Sequence, residues 1–129
     1  MLHKNMSFCL ESTLSGKYLV RVLQSAREQG YFIRMIYVFL ETPEQCIQRI
    51  EVRVRSGGHF IPPEDVRRRF YRSAKNFWDI YRPLADEWFL YYNAGDSSEP
   101  VAFSVGHDVS YTIEDELSLA IFRKILSAL

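Results

Sequence analysis

Several things that would give a chain of 129 residues an obvious role are scarce or missing here. There are two cysteines, Cys9 and Cys46, too few for a disulfide scaffold. Both lie in apolar runs without metal-ligand spacing, so they read as reduced core residues. No stretch is long and apolar enough to cross a bilayer, and Met1-Leu2-His3-Lys4-Asn5 lacks the apolar centre of a secretory signal. Net charge is absent as well: sixteen Lys and Arg balance sixteen Asp and Glu. That balance excludes a strongly electrostatic nucleic-acid or membrane binder, although local basic patches survive it. Repeats, low-complexity tracts and linkers are missing too. These absences predict one cytoplasmic domain over residues 1–129, with no nucleic acid or membrane among its partners and no metal-ligand cluster. A hydrophobic content of 47% is enough to build a core.

What is present concentrates between Arg49 and Ser73. Two helical runs flank the break Gly57-Gly58-His59-Phe60-Ile61-Pro62-Pro63, and arginines crowd both sides of it. The glycines permit a bend, and Pro63 suits a first helical position. Before the break, Cys46, Ile47, Ile50 and Val54 make one apolar stripe, with Arg49 and Arg53 as i,i+4 neighbours on its edge. After it, Val66, Phe70, Ala74 and Phe77 make the second stripe, bordered by Arg69. Arg68, Arg72 and Lys75 face solvent. Border arginines on two hinged helices suit phosphate clamping, because guanidinium forks bind phosphate oxygens bidentately. The pattern predicts a lid over about 53–69, with Arg53 and Arg69 turned toward a common point. His59 either contacts phosphate or caps the turn.

The rest of the chain supplies alternating elements. Ser7 to Leu10 reads as a brief buried strand, with Glu11-Ser12-Thr13 at its carboxyl end, where ligands bind in open α/β sheets. Ser15 is placed to cap a helix running to Gln29 and stopped by Gly30. Ser15-Gly16-Lys17 is no phosphate loop, since the glycine-rich lead-in is missing. Tyr31 to Leu40 is nearly all apolar and reads as a central parallel strand covered on both faces. Thr42-Pro43-Glu44-Gln45 reads as a capping box. Trp88 to Tyr92 predicts a strand, Asn93 to Ser98 a turn, and Val101 to Val105 an antiparallel edge strand. Thr112 with Asp115 is expected to start a final helix along Ile113, Leu117, Ala120, Ile121 and Ile125. Trp78, Tyr81 and Trp88 read as core. The order predicts an α/β domain with helices against a largely parallel sheet.

Taken together, Glu11-Ser12-Thr13-Leu14-Ser15, Gly30-Tyr31, Val38-x-Leu40, Arg49-x3-Arg53-Val54, Gly57-Gly58-His59-x-x-Pro62, Arg67-Arg68-Arg69-Phe70-x-x-Ser73, Asp86-x-Trp88 and Tyr92-Asn93 resemble the zeta-toxin-like P-loop kinases. The resemblance is collinear from about Ser7 to Val105. It implies a three-layer kinase-like α/β sheet, mostly parallel with an antiparallel edge strand. It also implies ATP-dependent phosphorylation of a small hydroxyl substrate, in the toxins proper a UDP-amino-sugar. By resemblance, Glu11 and Thr13 fall on the substrate contacts, Arg53 and Arg69 on the lid clamps, and Arg49 and His59 near the nucleotide. ATP and Mg²⁺ would be the cofactors, and an antitoxin or a complementing phosphate-loop segment would be a partner. The family's G-x-x-x-x-G-K-[ST] loop and general-base aspartate have no counterpart in these residues. The central strand that carries the loop is therefore expected to be missing, and the chain alone is expected to be inactive. The alternative is a non-catalytic nucleotide-binding or interaction module that keeps the fold.

Overall fold

The runs densest in aromatic and β-branched residues become the sheet. In the computed structural model, which describes residue 7 and residues 9–106 and 110–128, helix α1 (Leu19–Glu28) leads into strand β1 (Arg34–Phe39). Helices α2 (Pro43–Arg55) and α3 (Pro63–Asn76) follow. A π-helical turn (Phe77–Tyr81) and a 3-10 turn (Arg82–Leu84) then bring in strands β2 (Glu87–Asn93), β3 (Ser98–Ser104) and β4 (Thr112–Ile113), and helix α4 (Glu116–Leu126) closes the order. The protein is α/β with a four-stranded mixed sheet in the order β1-β2-β3-β4. β1 and β2 are parallel, with Arg34 opposite Glu87 and Phe39 opposite Tyr92. The other two pairs are antiparallel, so the sheet is not mostly parallel as expected.

Several local signals act as read. Thr42 and Gln45 form the capping box with Pro43 behind them. Gln45 Oε1 accepts from the Glu41 and Thr42 amides at 3.0 and 3.2 Å. Gly30 ends α1 at φ +85°, and Gly57 ends α2 at φ +95°, angles that favour glycine. Pro63 opens α3. Trp88 and Tyr81 are buried, and Trp78 packs against that core.

Five expectations are corrected. Cys9 and Leu10 are exposed and lie in no strand, so they form neither the buried strand nor the core cysteine expected; Phe8 lies outside the described residues. β1 is an edge strand, not a central one. Tyr37 and Phe39 face the helices, while Arg34, Ile36 and Val38 on the other face are exposed. α1 starts at Leu19 rather than after Ser15: Leu14 turns the chain at φ +57°, and the Ser15 hydroxyl hydrogen-bonds the Thr13 hydroxyl at 3.1 Å. β3 is not an edge, since Thr112–Ile113 pairs outside it as β4. The last helix is capped by Asp115, which accepts from the Leu117 and Ser118 amides at 3.1 Å each. That later start rotates the buried stripe to Ser118, Leu119, Phe122 and Ile125, and leaves Leu117 81% exposed.

The core lies between the sheet and the face formed by α3, the π turn and α4. Phe77 and Phe122 are fully buried there. Tyr37 stacks on Phe77 at 4.6 Å, and Phe122 packs on Phe39 and Trp78 at 4.9 and 5.7 Å. Arg82 lies over Trp78, 4.0 Å from the ring centroid, and burial lowers its pKa from the ordinary arginine value.

Candidate functional site

The unpaired edge of β1 opens on a cavity of about 790 Å³. Segment 9–14 lines it as well; α1 contributes Leu19, Leu23 and Ala26, and the two lid helices contribute Ile50, Val66 and Phe70. Its walls are apolar, and its polar lining includes Glu11, Ser12, Thr13, Arg69 and Ser73. β1 presents a row of backbone N–H and C=O groups without ladder partners to this space.

The loop bearing Glu11 and Thr13 is held by one helix and its π-helical extension. Ser73 donates to the Thr13 carbonyl and is itself hydrogen-bonded at 2.6 Å by the Tyr37 hydroxyl. Asn76 Nδ2 donates to the Leu14 carbonyl at 2.8 Å, and the Tyr81 hydroxyl donates to the Gly16 carbonyl at 2.8 Å. The Leu14 amide donates to Ser12 Oγ at 3.1 Å. These bonds fix Leu14 in the left-handed region, which a leucine occupies only against strain. The loop and α3 are thereby one unit.

Burial pushes the Tyr37 hydroxyl up to about 12. The neutral phenol is favoured in the fold, so this contribution to stability is complete below the ordinary tyrosine value of about 10 and is lost as pH rises through the folded one. At about pH 11, the folded protein and its Tyr37→Phe variant should show the same near-ultraviolet phenolate absorbance. A difference should appear only on unfolding, and a full tyrosine difference in the folded proteins at that pH would contradict the assignment.

A second cavity, of about 550 Å³, sits at the carboxyl ends of the parallel pair, where Leu40 follows β1 and Asn93 ends β2. Arg49 and Arg53 of α2 line it together with Gln45, Gln48 and Tyr92.

No family model and no solved structure matches the chain. An uncharacterized protein of Haemophilus influenzae is 35% identical over 69 residues, covering 54% of this chain. The chain spans about half the length of that curated relative, 49%.

The residues singled out by sequence are thus divided. Glu11, Thr13 and Arg69 line the first cavity, whereas Arg49 and Arg53 line the second. In this conformation Arg53 and Arg69 do not share a cavity. His59 is exposed and lines neither. Arg68 pairs with Asp65 at 3.1 Å and Lys75 with Asp79 at 3.2 Å, both partly exposed, in keeping with a solvated face. Cys46 lines the groove, and burial raises its thiol pKa above the ordinary value. Ser73 enters the sequence reading only as the last residue of the motif that begins at Arg67, and Asn76 and Tyr37 carry no signal there, because their partners are backbone carbonyls and a hydroxyl far away in sequence. Among the described residues no group of three His, Cys, Asp or Glu is placed to hold a metal ion. The groove offers two arginines, of which Arg34 is already paired with Glu87, and one carboxylate, without a lysine or a phosphate loop. Its residues alone do not compose a site for Mg²⁺ and ATP. No described helix is long and apolar enough to cross a membrane.

Proposed function

We propose that this chain is the substrate-binding and lid portion of a zeta-toxin-like, ATP-dependent kinase acting on a small hydroxyl substrate, and that it is inactive without a complementing phosphate-loop strand. The observation that carries this reading is the slot between segment 9–14 and β1. It is apolar along its walls, bordered by an unpaired strand edge, and has Glu11, Thr13 and Arg69 in its lining. Segment 9–14, α1 and β1 follow the order of a crossover unit, for which a strand between them would run parallel to both. A strand as long as the six residues of β1 spans roughly 20 Å and would satisfy the edge along its whole length. In this reading Glu11 and Thr13 hold a substrate hydroxyl through hydrogen bonds, and Arg69 neutralises charge on the transferring group.

The test is to fuse an apolar strand followed by a G-x-x-x-x-G-K-[ST] loop to the chain, and separately to supply it as a peptide. The expected result is phosphoryl transfer from ATP by the complemented protein, with none by the chain alone. Arg69→Ala should lower turnover by about ten- to a hundred-fold, the scale of one lost charge-assisted contact. Arg72→Ala should change it little. A segment that fails to bind, or turnover by the chain alone, would sink the reading. The exposed Phe32 and Ile36, at 64% and 61%, also favour the second reading, an interaction module that retains the fold.

A further inference from the structure

The second cavity is complete within this chain, and its chemistry differs from that of the groove. It opens where α/β sheets usually take ligands, outside the carboxyl ends of adjacent parallel strands. Its two arginines stand one helical turn apart on α2, and neither makes an ion pair among the described residues. Arg34, Arg67 and Arg68, by contrast, each have an acidic partner.

The amides around these arginines carry the decisive detail. Gln45 Oε1 is occupied by the two amides of the capping box. Asn93 Oδ1 accepts from the Gly95 amide at 2.9 Å, closing the turn after β2. Both side chains therefore have their acceptor committed to backbone, and among the described residues their NH₂ donors have no hydrogen-bond partner. Gln48 adds an amide that can turn either way, and the hydroxyl of Tyr92, a lining residue, donates to the exposed Glu41 carboxylate at 3.1 Å. No lining side chain is acidic. Two guanidinium forks and two donor-only amides call for a ligand rich in acceptors and negatively charged.

We propose that this pocket binds a phosphate-type oxyanion, and does so in the chain alone. The inference goes beyond the kinase reading, since it requires no complementing strand and no turnover. It makes the chain a ligand binder in its own right, through α2 and the end of β2.

Inorganic pyrophosphate is the probe. Titration into the full chain at low ionic strength, followed by calorimetry and amide NMR, should show saturable binding. Shifts should concentrate in residues 45–53 and 92–95. Arg49→Gln and Arg53→Gln should each weaken binding about ten-fold. Asn93→Asp keeps the acceptor for the Gly95 amide but brings a carboxylate into the pocket, and should weaken binding at least as much while leaving the fold intact by circular dichroism. Arg68→Gln should have no effect. Absence of saturable binding to the folded chain would overturn the proposal, as would equal losses from Arg68→Gln and Arg53→Gln. If the complemented protein fails to turn over while pyrophosphate still binds, only the kinase reading falls. If it turns over while the chain alone binds no pyrophosphate, only this inference falls.

Discussion

Replacing Phe122 with alanine should cost about 3–5 kcal/mol of folding stability, the range for removing a large aromatic side chain from a closed core. Phe122 is fully buried, and four rings surround it: Phe39 at 4.9 Å, Trp78 at 5.7 Å, Tyr37 at 6.2 Å and Phe77 at 6.5 Å. These neighbours come from β1 and the π turn, so the cavity left behind has walls on two elements besides α4 and cannot collapse by one side-chain move. Domains of this size are stable by only about 5–15 kcal/mol, so the variant should unfold at much lower urea. Leu117→Ala, on the same helix but 81% exposed, should stay within about 0.5 kcal/mol of the parent. Equal losses from the two variants would mean that α4 docks by another face.

Asn76→Leu should have the second largest effect, about 1–3 kcal/mol, because it leaves the Leu14 carbonyl without its buried donor. The loss should be local in a way that a core cavity is not. Without that bond, the left-handed Leu14 is held only by its neighbours' bonds, and its strain of about 1–2 kcal/mol favours opening. Hydrogen exchange of the Leu14 amide and of residues 12–18 should accelerate while exchange in β2 keeps pace with global unfolding. A stability loss with unchanged exchange across residues 12–18 would show that the loop does not depend on Asn76.

Much of this fold could be read from short-range signals, because those signals are local physics. The Thr42 box, the glycines at positive φ and the apolar stripes of α2 and α3 each depend on residues within a turn or two. Misreadings arose where a distant partner decides. Tyr31 to Leu40 is apolar enough for a central strand, yet among the described residues no strand pairs with the outer edge of β1, and one of its faces is exposed. Thr112 has the composition of a cap, but the free edge of β3 draws Thr112–Ile113 into the sheet and leaves the capping to Asp115. Backbone hydrogen bonds and hydroxyl of Ser118 hold the Asp115 carboxyl below the ordinary range, Ser118's amide foremost. Val101 is a bulge residue: Leu90 faces Ala102 while Tyr91 faces Pro100, and the Val101 carbonyl accepts from the Glu114 amide at 2.8 Å instead. Nothing in the local pattern marks it.

The candidate site was legible in part for the same reason. Glu11, Thr13 and Arg69 are found by motif spacing, and the cavity gathers all three. Arg49 and Arg53 are found by i,i+4 geometry, but their cavity is set by where β2 ends, which periodicity does not report. The amides of Gln45 and Asn93 read as a cap and a turn residue, and their second role depends on which of their atoms the backbone already occupies.

The parallel pairing of β1 with β2 also sets the order in which the chain assembles. Ile33 and Asp86, joined by a 2.7 Å hydrogen bond, are 53 residues apart, with both lid helices looped out between them. Bringing those ends together carries a loop-closure entropy that grows as the logarithm of length. β2 and β3, in contrast, meet across the Ala94–Ser97 turn, and a hairpin of that kind closes in roughly 1–10 μs. The hairpin is therefore expected to form first, with β1 pairing on it only after the looped-out helices are brought in. Conservative substitutions in β1 should then slow folding less than equally destabilising ones in β2 and β3.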